Sequence, residues 1–253
     1  MLQALITGQL FAFLLVFTRV GAAFLVLPGV GETFVSARIR LLLALTTALV
    51  VTPVARPLLP AQPTEPALLT LLITAEVMVG IFIGTIARTM LAAMETAGSI
   101  ISNAVGLSAA QSFNPAMAAP GNAVSALLGI VAILLIFAAD LHHLMIMAVV
   151  GSYDVFRPGM QLPVGDFSQH LTRVFSESFL VGLQLSAPFV VIGLVFNLGL
   201  GLVARLVPQI QIFFIGIPIQ IGGGLLLLAA GMTALMLFWL AAFQAQLVGL
   251  LGG

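Results

Sequence analysis

The densest group of side chains able to do chemistry is Asp140-Leu141-His142-His143, set inside an otherwise apolar run. On a helix Asp140 and His143, three residues apart, share a face and could supply two ligands to a metal ion. A third and a fourth would have to come from elsewhere in the chain. The competing reading is a hydrogen-bonded pair, or a polar cluster where a helix ends at a membrane or subunit boundary, and a proton relay is a further use of the same groups. Arg19, Glu76, Arg88, Glu95 and Arg205 also stand in apolar runs, where an isolated charge is costly, so each must find a partner or face water. Arg88 and Glu95 lie seven residues apart, two turns along one helix face and too far for a direct pair, which predicts that each pairs across an interface. A transporter would gather such groups at a substrate site; a structural assembly would use them as ties between chains.

Other chemistries lack their parts. The glycine spacing of Gly199-Leu200-Gly201-Leu202-Val203-Ala204 resembles a dinucleotide loop, but that fingerprint needs a preceding strand and an acid about twenty residues on, and no carboxylate follows Glu177. Neither GxSxG nor HExxH occurs, and a chain without lysine has no P-loop lysine. Without cysteine there is neither a thiolate zinc site nor a Cys nucleophile. No enzyme activity and no cofactor are therefore expected. The eight basic residues, all arginine, are balanced by eight carboxylates, which leaves no basic patch for nucleic acid.

These residues must be positioned by helices that meet lipid or other apolar protein. Of 253 residues 61% are hydrophobic and 6% charged, against roughly a quarter charged in a soluble domain. Six apolar stretches stand out. The first, Ala4 to Leu27, has no charged segment before it, is too long for a signal-peptide core and contains Arg19, so it is expected to be a retained helix. A polar link with Glu32, Arg38 and Arg40 leads to the second, Ile39 to Thr52, and then Pro53, Pro57, Pro60, Pro63 and Pro66 form a connector that no helix is expected to cross. The third runs from Ala67 to Val105 and the fourth from Asn122 to Val150, separated by a loop over 106–121 with the sequence GLSAAQSFNPAMAAPG. Beyond Pro158-Gly159, Asp166 or Ser168 could cap an amphipathic helix with Phe167, Leu171, Val174 and Phe175 on one side. The fifth stretch spans Phe179 to Val207 and the sixth Ile210 to Leu251. A ~30 Å hydrocarbon core wants about 20 residues per span. The second stretch is too short and the third and sixth too long, which predicts breaks, tilts or packing inside an assembly. Gly80, Gly84 and Ala87 form a small-residue stripe, and Gly193, Gly199, Gly201 and Gly222-Gly223-Gly224 thin the last two stretches, as close helix contacts require.

The stretch Gly201-Leu-Val-Ala-Arg205-Leu-Val-Pro208-Gln209-Ile-Gln211-Ile-Phe213-Phe214-Ile-Gly216-Ile-Pro218-Ile-Gln220-Ile resembles the signature of the FliR family of flagellar export proteins, which is related to the SctT proteins of injectisomes. Arg19-Val-Gly21 ahead of Pro28, the Arg38-Ile-Arg40 link, and the 106–121 loop leading to Asp140-xx-His143 agree with it, and Gln211 is closer to the flagellar branch. The resemblance implies an all-α, polytopic membrane-associated protein, with a FliP-like unit over 1–185 and a FliQ-like helical hairpin over 186–253. It implies a subunit of the export gate in the bacterial inner membrane, at the flagellar basal body, with FliP, FliQ and FlhB as partners, unfolded flagellar proteins in transit, and membrane lipid around it. Much of that assembly stands out of the membrane plane. Phe113, Asn114, Pro115 and Met117 fall at the family's pore plug, and the chain departs from many relatives in having Asn114 where an acid is common, which counts against a charge-based role for the plug. Arg205, Pro208, Gln209, Gln211, Phe213, Gly216 and Pro218 fall at the hairpin tip near the cytoplasmic entrance. Arg19, Glu76, Arg88, Glu95, Asp140 and His143 are the expected buried ionisable groups or ties between chains. The alternatives are an SctT-type injectisome subunit, or a secondary transporter or channel lined by Arg88, Glu95 and Asp140.

Overall fold

The computed structural model describes residues 2–107, 122–160, 163–206 and 212–251, and all regular structure among them is helical. In chain order the helices are α1 (Leu2–Val26), α2 (Ala37–Ala55) with a 3₁₀ turn at Arg56–Leu58, α3 (Pro66–Ala104), α4 (Ala123–Ala138), α5 (Leu141–Val155), α6 (Val164–Leu206) and α7 (Ile212–Leu251). Five are long and apolar enough to cross a membrane, or six if the bent pair α4 and α5 forms one broken span.

Local chemistry explains several boundaries. Ser36 caps α2 by accepting from the Ile39 amide, and the Asn122 side chain accepts from the Val124 amide at the start of α4. Between α1 and α2 the Arg40 guanidinium donates to the carbonyls of Val30, Glu32 and Val35 at 2.9–3.3 Å, which fixes the link around one side chain. At the end of α3 the chain turns through Gly106, whose φ of +86° an L side chain adopts only with strain.

Three features depart from the apolar-run reading. Pro53 does not stop α2 but lies inside its last turn, where only one backbone bond is lost. The fourth stretch is two helices, because Asp140 adopts a left-handed conformation with φ of 57°, which Asp tolerates better than most residues. The amphipathic segment and the fifth stretch are one 43-residue helix, α6, that continues through Pro188. On it Phe167 and Val174 are buried as expected, whereas Phe175 is 67% exposed, since one residue beyond Val174 the helix has already turned by about 100°.

The chain divides into two compact units that are discontinuous in sequence. The first comprises Met1–Met90, Ile136–Phe175 and Gln244–Gly253; the second comprises Leu91–Leu135 and Ser176–Phe243. In the first, α2 buries Ala44, Ala48, Val51 and Ala55, a stripe at helical spacing, and α1 buries Val16, Val20, Ala23 and Phe24. Gly80 and Gly84 of α3 face α1. A Cβ on Gly80 would lie 2.3 Å from the Arg19 carbonyl oxygen, and one on Gly84 2.8 Å from Val26 Cβ, so these two glycines set how near the helices come.

In the second unit the same device recurs. A Cβ on Gly98 would lie 2.5 Å from Ser125 Cα, one on Gly193 2.5 Å from the Ala104 carbonyl oxygen, and one on Gly224 2.4 Å from Val105 Cγ1. Ser125 Oγ donates to the Glu95 carbonyl at 2.6 Å, and Gln220 Nε2 donates to the Ala104 carbonyl at 2.9 Å, which ties α4 and α7 to α3. Around Gly199, Gly201, Gly222 and Gly223 a Cβ would meet nothing within 4 Å among the described residues, so these glycines are not required by helix contacts there.

Candidate functional site

Two features stand out, a buried polar centre in the first unit and extensive apolar helix faces left uncovered. The centre is built on Arg19 of α1, Glu76 of α3, and Ser152 and Tyr153 of α5. The Arg19 and Glu76 side chains are 0% and 1% exposed. Arg19 Nε donates to Glu76 Oε2 at 2.7 Å and Nη2 to Oε1 at 2.9 Å, the bidentate fork that a planar guanidinium forms with a carboxylate. Nη1 donates to Ser152 Oγ at 2.9 Å and Nη2 to the Phe156 carbonyl at 2.8 Å. Ser152 Oγ in turn donates to the Val149 carbonyl at 2.6 Å, and Arg19 Cζ sits 3.8 Å over the Tyr153 ring.

The geometry commits Arg19 to structure. Four hydrogen bonds and an aromatic face occupy a group with five N–H donors, and no solvent reaches it. A substrate would have to displace all of them. This centre therefore clamps α1, α3 and α5 together within the first unit. Gly80 and Glu76 sit one turn apart on α3, so the glycine that admits the α1 backbone also brings Arg19 within reach of Glu76.

The other ionisable residues are placed differently. Arg88 forms a salt bridge with Glu32 of the same chain, because the folded α1–α2 link carries Glu32 to α3. Glu95 is exposed on α3 and Arg205 exposed near the end of α6. Asp140 and His143 are exposed rather than buried, with Oδ1 and Nδ1 3.7 Å apart. Among the hairpin-tip residues Gly216 is buried, where a Cβ would meet Leu200 Cδ2 at 2.7 Å, Pro218 is exposed, and Phe213 falls within the first turn of α7. Phe113, Asn114, Pro115, Met117, Pro208, Gln209 and Gln211 lie outside the described residues.

The uncovered surface is large. Only 22% of the apolar window in α2, 28% in α6 and 22% in α7 is buried within the chain. Leu194, Val195, Leu198, Leu202 and Leu206 on α6, and Ile215, Ile219, Leu226 and Leu237 on α7, are exposed. Soluble monomers do not leave such faces open.

A match to the model of bacterial export proteins, family 1, extends over residues 10–246. Flagellar biosynthetic protein FliR of Caulobacter vibrioides is 38% identical, over 94% of this chain and 95% of that protein. The chain belongs to the FliR family. FliR of Escherichia coli K12 is 31% identical over 87% of this chain and 84% of its own length. The Yop proteins translocation protein T of Yersinia pestis is 27% identical over 87% and 85%. This FliR-family chain is thus an all-α, polytopic membrane protein and a component of a flagellar or type III export system. The Arg19 centre could be anticipated only in part: sequence demands a partner for each buried charge, but 57 residues separate Arg19 from Glu76.

Proposed function

We propose that the chain is a non-catalytic wall and plug subunit of the flagellar export gate in the bacterial inner membrane, at the basal body, assembled with FliP, FliQ and FlhB. Unfolded flagellar proteins would pass through the channel it helps enclose. Residues 1–185 act as a FliP-like unit and 186–253 as a FliQ-like hairpin whose tip, from Arg205 to Pro218, lies at the cytoplasmic entrance. The loop over 106–121 occludes the channel at rest, with Phe113, Asn114, Pro115 and Met117 at its centre.

The observation that carries this reading is the mismatch between helix length and membrane thickness. Helices α3, α6 and α7 have 39, 43 and 40 residues, hence lengths of about 58, 64 and 60 Å. A hydrocarbon core of ~30 Å covers only half of each. The remaining apolar faces must be covered by protein, so neighbouring subunits are required. A solute transporter is supported less well: Arg19 and Glu76 are sealed against each other, and Arg88 bonds to Glu32. Identity of 38% to the Caulobacter FliR and 31% to that of Escherichia coli, against 27% to the Yop translocation protein, supports the flagellar system over the injectisome.

Deleting residues 106–121 in cells that assemble the apparatus tests the plug. The complex is expected to form and co-purify as before, while the membrane becomes leaky to ions, read by a potential-sensitive dye. Intact assembly with unchanged ion flux would remove the plug assignment.

A further inference from the structure

We propose that Asp140, His142 and His143, at the junction of α4 and α5, form a surface site for a zinc-class divalent cation. One donor atom from each of the three lies within 4.8 Å of the other two. A four-coordinate zinc with bonds near 2.0–2.2 Å holds its ligand atoms about 3.4 Å apart. Closing the cluster takes a shift of about an ångström, which side-chain rotation supplies where residues are solvated. Asp140 and His143 are 78% and 65% exposed, so an ion reaches them from solvent.

The backbone arranges the donors. Asp140 stands between the two helices with φ of 57°, an uncommon conformation for a residue other than glycine, and its carboxylate lies beside the His143 ring one turn on. The His142 ring is tilted against two others, Phe137 at 5.2 Å and 32° and His143 at 4.1 Å and 36°. Its Nδ1 is buried and has no hydrogen-bond partner among the described residues, which leaves the ring coordinating capacity.

The donor set selects the ion. Two imidazole nitrogens and one carboxylate, with positions left for water, suit Zn²⁺ and its Ni²⁺ and Cu²⁺ neighbours, whereas Mg²⁺ and Ca²⁺ prefer all-oxygen cages. Bound there, the cation ties Asp140, in the break between α4 and α5, to the first turn of α5. All of its residues belong to one compact unit.

The test uses the full chain, purified through a tag without histidine and together with whatever subunits accompany it. Titration with Zn²⁺ against a chromophoric chelator is expected to show one equivalent bound, with Mg²⁺ and Ca²⁺ not competing. Co²⁺ in its place is expected to give the visible absorption of a low-coordinate nitrogen and oxygen site. D140N, H142A and H143A should each weaken binding at least about tenfold, while H170A, which removes the remaining histidine, should leave it unchanged. All are checked for unaltered elution on size exclusion. Wild-type protein that binds no zinc, or binds it as well as H142A/H143A does, would overturn the proposal.

Discussion

Replacing Arg19 with methionine is expected to lower the thermal midpoint of the purified protein by about 6–20 °C. That range follows from the ~3–5 kcal/mol cost of leaving one member of a buried ion pair without its partner, at ~2–4 °C per kcal/mol for a chain of this size. The cost falls on Glu76, which is 1% exposed and loses both of its guanidinium bonds, and on the Phe156 carbonyl and Ser152, which each lose a donor. E76M should cost a comparable amount, because it strands the guanidinium against Tyr153. The double variant R19M/E76M buries no charge and is expected to sit nearer wild type than either single variant, as apolar replacements of whole buried pairs do elsewhere. Heating followed by fluorescence-detected size exclusion measures all three. Midpoints unmoved in the single variants would show that the pair does not hold α1, α3 and α5 together.

Gly80→Leu is the second large effect, and it acts on the same centre from the backbone side. Even the first added carbon would stand 2.3 Å from the Arg19 carbonyl oxygen, 2.9 Å from Ala22 Cβ and 3.0 Å from the Ala23 nitrogen. No flexible side chain is there to give way, so α1 and α3 must separate. Overpacking of this kind costs about 1–3 kcal/mol by itself. Separation also draws Arg19 away from Glu76, and for that reason the loss should exceed the packing term. In a double-mutant cycle G80L and R19M should be strongly non-additive, with the combined loss well below the sum, because each destroys what the other depends on. Gly199→Ala, at a position with nothing within 4 Å, is expected to be neutral or mildly stabilising in the same assay. Additive losses would mean that helix spacing and ion pairing are independent.

The sequence makes the all-helical, membrane-associated class legible through its long apolar runs, and the FliR resemblance is legible through the Arg205 to Pro218 segment. It also requires Arg19 and Glu76 to have partners, because a charge among apolar residues is otherwise too costly. It does not pair them. Partners on α1 and α3 are joined by tertiary packing, which no local spacing records. The stripe of Gly80 and Gly84 is legible as a contact face, whereas Gly199 and Gly201 look alike in sequence and are open in the chain. Pro53 and Asp140 mark the limits of boundary reading. A proline near a helix end costs little, and an aspartate that adopts φ of 57° breaks a helix without any glycine or proline to announce it. Arg88 is paired within the chain because Glu32, on a link that reads as a mere connector, is held in place by the fold that Arg40 organises.

The open apolar faces of α2, α6 and α7 make assembly the central claim, and purification from bacterial membranes addresses it most directly. Extracted in mild detergent from cells that build flagella, the tagged chain is expected to emerge with FliP and FliQ in one complex of fixed stoichiometry. Expressed without them, it should be unstable or aggregated, because long apolar helices with only 22–28% of their windows buried lack a covering surface. Recovery of a well-folded, homogeneous chain on its own, active in solute uptake when placed in liposomes, would contradict the account.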